Sequence, residues 1–415
     1  MRKRASSIVL GLQSTAIGGM ETHVIDLAAE YRRRGIAVCV IVPRGLELDA
    51  VAARAVAAGA QVRRLATDGR DGRSAQLRAW FGLVRSLREA KPDVVHLHTG
   101  GATGGLGFVL TARLCTRATV AITEHDVPGE HPGRRQRLTR GWLDRAAHLV
   151  VAVSRRNAGL RRERVDIRCR NFAAVLNGVP LPAGSDKERG AGRATVRADL
   201  GIGPDETVIG SLVRLADGKG LETLFEAFVI LRRERACRLL LVGAGPQRAG
   251  LEALASELGV RDDVVFAGNQ PGPGPFLDAM DVFALAVPAG SMSIALLEAM
   301  ARGLPPVITF CGPEEAVIPG ETGLGAEPNN PASLAAALAS LVRNESLRRA
   351  LGAAAAAHVR AHFSVARVAD DLLEAYRSAR GGVVARRLEA AGPLNARPGT
   401  ALSTDRGGLA PRPLP

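Results

Sequence analysis

At 415 residues, 47% hydrophobic and 23% charged, the chain has the composition of a globular protein of two or three domains, which excludes a disordered or fibrous one. Aromatic residues amount to 3%, so ring stacking on bases or sugars is excluded as the main means of recognition. The net charge of +14 is lopsided: residues 1–183 hold 30 Lys and Arg against 15 Asp and Glu, and residues 184–415 hold 25 against 26.

In chain order, SSIVLGL predicts a first strand. The basic opening MRKR imitates a signal peptide, but the apolar stretch Ile8 to Leu12 is too short and no small-residue cleavage site follows. No run of 18 apolar residues occurs anywhere, and the five cysteines (Cys39, Cys115, Cys169, Cys237, Cys311) form no CxxC pair. These features predict a cytoplasmic protein with reduced thiols. Val24, Leu27, Ala28 and Tyr31 then mark one apolar stripe of a helix ending at Gly35. Strands AVCVIVP and AQVRRL follow, then a helix over Leu77–Ala90 stopped by Pro92. Strand DVVHLH, a helix near Gly107–Leu114, strand TVAIT, a basic helix over 134–147, and strands HLVVAVS and FAAVLNGV complete the first half. Strands alternating with helices imply a parallel sheet covered on both faces.

Residues 181–195 (LPAGSDKERGAGR at their centre) have linker composition, after which the alternation restarts with TVIGSLV. Helix LETLFEAFVILRRE, strand CRLLLVGAG, helix LEALASELG and strands VVFAG and DVFALAV follow. Helix IALLEAMARG, strand PPVITF and a long Ala-rich helical stretch from Ala332 to Arg380 come next, and the Gly-, Pro- and Arg-rich remainder predicts disorder. The predicted division is therefore one Rossmann-like domain at 1–182, a second at 183–362, a helix at 363–380 packing back on the first domain, and a tail at 381–415. A ligand belongs in the cleft facing the carboxyl ends of both sheets.

Several segments recur together in one known order: GGMETHVIDLA, PDVVHLH, ITEHD, VVAVS, VLNGV, VRLADGKG, LLVGAGPQRAGLEALASELG, VVFAG, DVFALAV, SIALLEAMARGLPPV and ETGLGAEPNNPASLAAAL. No single one is diagnostic, but in this order and spacing the chain resembles the retaining glycosyltransferases of family four over nearly all of residues 6–380. The resemblance implies a GT-B fold, two doubly wound parallel-sheet domains across a cleft, and transfer of a hexose-type sugar from a UDP- or GDP-sugar to an acceptor hydroxyl. It implies that Arg214 and Lys219 bind the donor diphosphate, where fixed cations in a dry cleft stabilise the charge that develops on the leaving group. Lys219 is one of only four lysines among 55 basic residues, which suits a position wanting a compact charge. The resemblance also gives Glu298 to the ribose hydroxyls, since a carboxylate offers two acceptors to a vicinal diol. The family's first Glu of the pair is here Gly290, so contact with the transferred sugar falls to backbone amides near Met292 and Ser293.

Gly18-Gly19 is either a plain turn or a place where backbone N–H groups meet a diphosphate at a helix N-terminus. His125, placed by the resemblance near the anomeric carbon, is expected to hydrogen-bond the sugar or orient the attacking hydroxyl, with Glu124 or Asp126 holding the ring or acting in its place. His96 is read as a packed strand residue and His98 as pointing the other way, into the cleft. HTGGATGGLG is read as a flexible cleft loop, and GAGP (Gly243–Pro246) and Asn177-Gly178 as a turn and a hinge. No DxD triplet or His/Cys cluster occurs, so neither a metal nor a cofactor other than the nucleotide-sugar is expected. The basic first half fits either a solvated face or something anionic: a membrane surface, a lipid phosphate or an acidic glycan. Its two arginine clusters, Arg134, Arg135, Arg137 and Arg140, and Arg155, Arg156, Arg161, Arg162 and Arg164, are expected to face the acceptor, a cell-envelope lipid or glycan or a small metabolite. The rivals are a non-catalytic binding protein on the same fold and a nucleic-acid binder; the shortage of aromatics and the neutral second half oppose the latter.

Overall fold

The computed structural model describes residues 5–14, 17–45, 47–65, 72–100, 105–126, 133–164, 169–270, 272–288, 292–309 and 315–381. Gly290, Cys311, Gly101, Gly104 and the tail from 382 onward therefore lie outside the described residues.

The first half alternates β1 (Ser7–Gln13), α1 (Gly19–Arg33), β2 (Ala37–Pro43), α2 (Glu47–Ala57), β3 (Gln61–Leu65), α3 (Gly72–Ala90), β4 (Val94–Thr99) and α4 (Leu106–Cys115). β5 (Thr119–Glu124), α5 (Arg134–Ala146), β6 (Leu149–Ala152), α6 (Arg155–Arg164) and β7 (Phe172–Ala174) complete it. All seven strands are parallel, in the order β3-β2-β1-β4-β5-β6-β7. Strands β4, β5 and β6 are buried along their whole lengths, which is why they lack a polar alternation: helices cover both faces. The α1 stripe is the reason that helix sits where it does, with Val24, Leu27, Ala28 and Tyr31 completely buried against the sheet.

The second half runs α7 (Asp186–Asp199), β8 (Val208–Leu212), α8 (Leu221–Arg232), β9 (Arg238–Val242), α9 (Arg248–Glu257), β10 (Val264–Gly268), α10 (Gly274–Asp278) and β11 (Val282–Leu285). It continues with α11 (Ile294–Ala301), β12 (Pro306–Thr309) and β13 (Leu324–Ala326), again all parallel, in the order β10-β9-β8-β11-β12-β13. β1 and β8 thus hold matching places, each at the point where its sheet reverses its winding, the place where open α/β sheets bind ligands.

One expectation needs correction, and the Ala-rich helical stretch resolves into separate helices. The stretch taken as a linker is largely helix α7. Ser185 caps it, accepting from the Glu188 amide at 3.3 Å while the Ser185 amide donates to Glu188 Oε2 at 2.6 Å, and a capping box of this kind outweighs two interior glycines. Buried Arg197 then fastens the helix to Asp281 at 2.8 Å. The Ala-rich stretch is three helices, α12 (Pro331–Arg343), α13 (Glu345–His362) and α14 (Val365–Arg380), because Asn344 and Ser364 each cap a new start.

After α13 the chain crosses back. Val368, Ala369, Leu372, Ala375 and Tyr376 of α14 join the core around α1. Arg34, just past α1, pairs with Asp370 at 2.5 Å and donates to the Ala366 carbonyl at 2.6 Å.

Candidate active site

The carboxyl ends of both sheets open into one cleft of about 1950 Å³. Gly18, Gly19, His125, Arg214, Lys219, Met292, Ser293 and Glu298 all line it.

From the first half comes the loop between β1 and α1. Gly18 caps α1 in an extended conformation with no side-chain bond to the first turn, so the helix presents bare amides to the cleft. A Cβ on Gly19 would lie 3.3 Å from Ile294 Cγ1, so this loop touches the start of α11 in the other half. Asn177 secures the same junction, its Nδ2 donating to the Met292 carbonyl at 3.0 Å.

From the second half comes the matching loop between β8 and α8, which carries Arg214 and Lys219. Its shape depends on glycine. Gly243 sits at φ +142° with the Val213 carbonyl 2.0 Å from where a Cβ would be, and a Cβ on Gly245 would meet the Leu215 carbonyl at 2.1 Å. The GAGP turn therefore presses its backbone onto the segment bearing Arg214, and any side chain there would push that segment away. Lys219 reaches toward the first half: burial raises the carboxyl of Asp126, and the Lys219 charge opposes that rise. Glu298 lies one turn into α11, capped by Ser293. Burial and the facing carboxyl of Asp26 push Glu298 up to about 7, against Arg302 and Arg54, and burial lifts Asp26 to about 6.

Behind the cleft wall stand four histidines. His98 Nδ1 and His125 Nε2 share a hydrogen bond of 3.1 Å, leaving His125 Nδ1 for the cleft. His96 bonds the hydroxyls of Tyr376 (2.6 Å) and Thr123 (2.7 Å), and His23 lies edge-on to His98 and His125 at ring separations of 6.0 and 5.6 Å. Burial lowers all four, His23 to about 4 and His96 to about 3, so the cluster is neutral at ordinary pH. The expectation that His98 points away from His96 is wrong. Residues two apart on a strand share a face, and the two rings are 4.2 Å apart; His98 is fully buried behind His125 and supports it.

Glu124 does not act beside His125 either. It is turned inward to Arg140 and to Arg161 Nε (3.2 Å), and Arg161 also holds Asp144 at 2.7 and 3.0 Å. Arg140 and Arg161 are therefore structural and fall out of the two expected acceptor-facing clusters: two carboxylates within one buried network neutralise them. Sequence reasoning missed Glu21, which lines the cleft nearly buried with its Oε1 unpartnered; within GGMETH nothing in its spacing separates it from an ordinary first-turn helix Glu. Among the described residues no group of three His, Cys, Asp or Glu is arranged to hold a metal ion, and no helix is long and apolar enough to cross a membrane.

Comparison with known proteins agrees with this geometry. The sequence profile of Glycosyltransferase Family 4 matches residues 17–181, and that of Glycosyl transferases group 1 matches residues 192–358. The chain is 30% identical to a D-inositol 3-phosphate glycosyltransferase of Nocardia farcinica, over 89% of this chain and 88% of that one. It is 31% identical to another from Rhodococcus jostii, over 87% and 85%. In fold it is similar to HepE of Anabaena in complex with UDP and glucose, with a TM-score of 0.76 at 21% identity, over 90% of this chain and 100% of that one. With two parallel-sheet domains closing on one cleft, the chain belongs to the group 1 and family 4 glycosyltransferases and is a glycosyltransferase of GT-B fold.

Proposed function

We propose that the protein transfers a hexose-type sugar from a UDP- or GDP-sugar to a hydroxyl of an anionic acceptor, with retention at the anomeric carbon and without a metal ion. The observation that carries this reading is the meeting, in one cleft, of the Arg214 and Lys219 loop, the open end of α1 and the Glu298 carboxyl. The diphosphate lies between the two cations and the α1 amides, and the ribose diol donates to Glu298. As the anomeric C–O bond breaks, negative charge gathers on the diphosphate, which Arg214 and Lys219 stabilise more strongly than in the ground state. The acceptor oxygen forms its bond to the anomeric carbon on the same face, and its proton passes to the departing diphosphate oxygen. His125, neutral and fixed through His98, orients a hydroxyl through Nδ1 and needs no charge.

An acceptor bearing negative charge suits the +15 excess of residues 1–183 and the inositol phosphate in the names of the relatives. Calorimetric titration with UDP and GDP, followed by NMR of the product formed from the matching sugar nucleotide in excess chelator, tests the reading. Nucleotide binding and a product of unchanged anomeric configuration are expected; no affinity for either nucleotide, an inverted product or loss of turnover with chelator overturns it. Gly290 favours one other reading, a protein that binds the donor without transferring it. Transfer by the natural sequence sinks that alternative, whereas activity appearing only in Gly290→Glu establishes it.

A further inference from the structure

Helices α3, α4 and α5 lie side by side over one face of the first sheet, burying Leu83, Leu87, Val109, Ala112 and Leu143 beneath them. Their outer faces are apolar as well. Among the described residues ten large hydrophobic side chains are exposed, and seven of them stand on these three helices. α3 presents Leu77, Trp80 and Phe81, and α4 presents Leu110 and Leu114. α5 presents Leu138 and Trp142, the latter 64% exposed. Trp80 and Phe81 lie three and four residues after Leu77, and the pairs on α4 and α5 are each four apart, so each set forms one outward stripe. A helix that is apolar inward and outward meets a second apolar phase.

The charges around the stripes say which phase. Arg134, Arg135 and Arg137 stand exposed in the first turns of α5, with Arg113 and Arg117 at the end of α4. Among the described residues of the three helices, the exposed carboxylate is Glu89, and Arg85 (2.7 Å) and Arg63 (3.0 Å) already hold it. A second copy of the chain would set arginine against arginine, and an anionic surface would meet complementary charge along the whole face. Trp80, whose indole N–H donates to Thr111 at 3.1 Å, belongs both to this face and to the lining of the cleft, so the two surfaces are continuous.

We propose that the outer face of α3, α4 and α5 docks on an anionic lipid bilayer, with the apolar stripes entering the interface and the arginines meeting lipid phosphates. The cleft then opens at the membrane edge, where an acceptor headgroup is presented. Docking does not depend on the transferase reading, because it requires no nucleotide.

Both tryptophans of the chain lie on this face, so the native protein carries its own probe. The full chain, without nucleotide, is mixed with phosphatidylcholine vesicles, with or without about one-third phosphatidylglycerol. Expected are binding at least about tenfold tighter to the anionic vesicles, weakening with salt, a blue-shifted tryptophan emission, and quenching by brominated acyl chains. Leu138→Ser with Trp142→Ser, and separately Arg134→Gln with Arg135→Gln and Arg137→Gln, should each weaken binding about tenfold with unchanged circular dichroism. Equal binding to both vesicle types, sedimentation without a tryptophan response, or full binding by either variant set overturns the proposal. A concentration-dependent dimer abolished by the same apolar substitutions also overturns it, by giving the face to a second copy. The quenching experiment uses no variant, so a misfolded mutant leaves the test standing.

Discussion

β1 and β8 occupy equivalent places in their sheets, yet the loops that follow them are chemically opposite. After β1 the chain offers Gly18 and Gly19 and a helix end with no side-chain cap, a site made of backbone amides with the Glu21 carboxyl beside them. After β8 it offers Arg214 and Lys219, a site made of charge, held in shape by glycines of a neighbouring turn. Equal topology therefore fixes where a ligand binds, and side chains fix what holds it. The cores behind the two loops differ too. Behind the first lie four neutral histidines and a buried Arg140–Glu124–Arg161–Asp144 network. Behind the second lies an aliphatic core with Phe225 and Phe228.

Four experiments break or sharpen this contrast, from the largest effect to the smallest. If charge in the β8 loop carries the chemistry, Arg214→Ala and Lys219→Ala should each lower kcat on the order of a hundredfold or more, and nucleotide affinity should fall when both are changed. Turnover within a few-fold of the natural enzyme would remove the distinction between the loops.

Within the first domain, Asp144→Ala leaves the buried Arg140 and Arg161 to share Glu124, with one positive charge uncompensated. It should cost about 3–5 kcal/mol in denaturant unfolding, the usual penalty for an orphaned buried charge. A loss below about 1 kcal/mol would mean that the network is not a support for the loop at His125.

The pH dependence of nucleotide binding separates the carboxyls at the junction from the histidines behind it. Glu298, raised to about 7, faces Asp26, Arg54 and Arg302, and the ribose donates to its ionised form. Only about one-tenth is ionised at pH 6 and most at pH 8, so affinity should rise roughly tenfold across that interval and level off above it. His23 and His96, lowered to about 4 and about 3, contribute nothing above pH 5, and burial holds His98 and His125 well below the usual imidazole range. Calorimetry from pH 6 to 8 should show the rise, and Glu298→Gln should flatten it; a fall with pH would rule out a bound carboxylate.

The smallest effect is expected at Gly19. Its Cβ would sit 3.3 Å from Ile294, so Gly19→Ala should raise the KM for the donor a few-fold by pushing the two halves apart slightly. If kcat falls instead and KM holds, the loop acts on the reacting atoms and not on domain approach.

The sequence by itself determined the two parallel sheets, because runs such as AVCVIVP and CRLLLVGAG are apolar on both faces and only strands covered on both sides need that. The resemblance carried by its ordered segments also marked Arg214, Lys219 and Glu298, whose side chains suit phosphate and diol recognition. The short capping box at Ser185 hid α7 inside a linker-like composition, a local bond outweighing a weak average. What tertiary structure alone decided is which charges are free. Arg140 and Arg161 look like Arg134 and Arg135 in sequence, and become structural only because folding brings Glu124 and Asp144 beneath them. His98 likewise turned from cleft residue to support once β4 and β5 set it beside His125. Partners far apart along the chain settle burial and ionisation, and no local pattern records them.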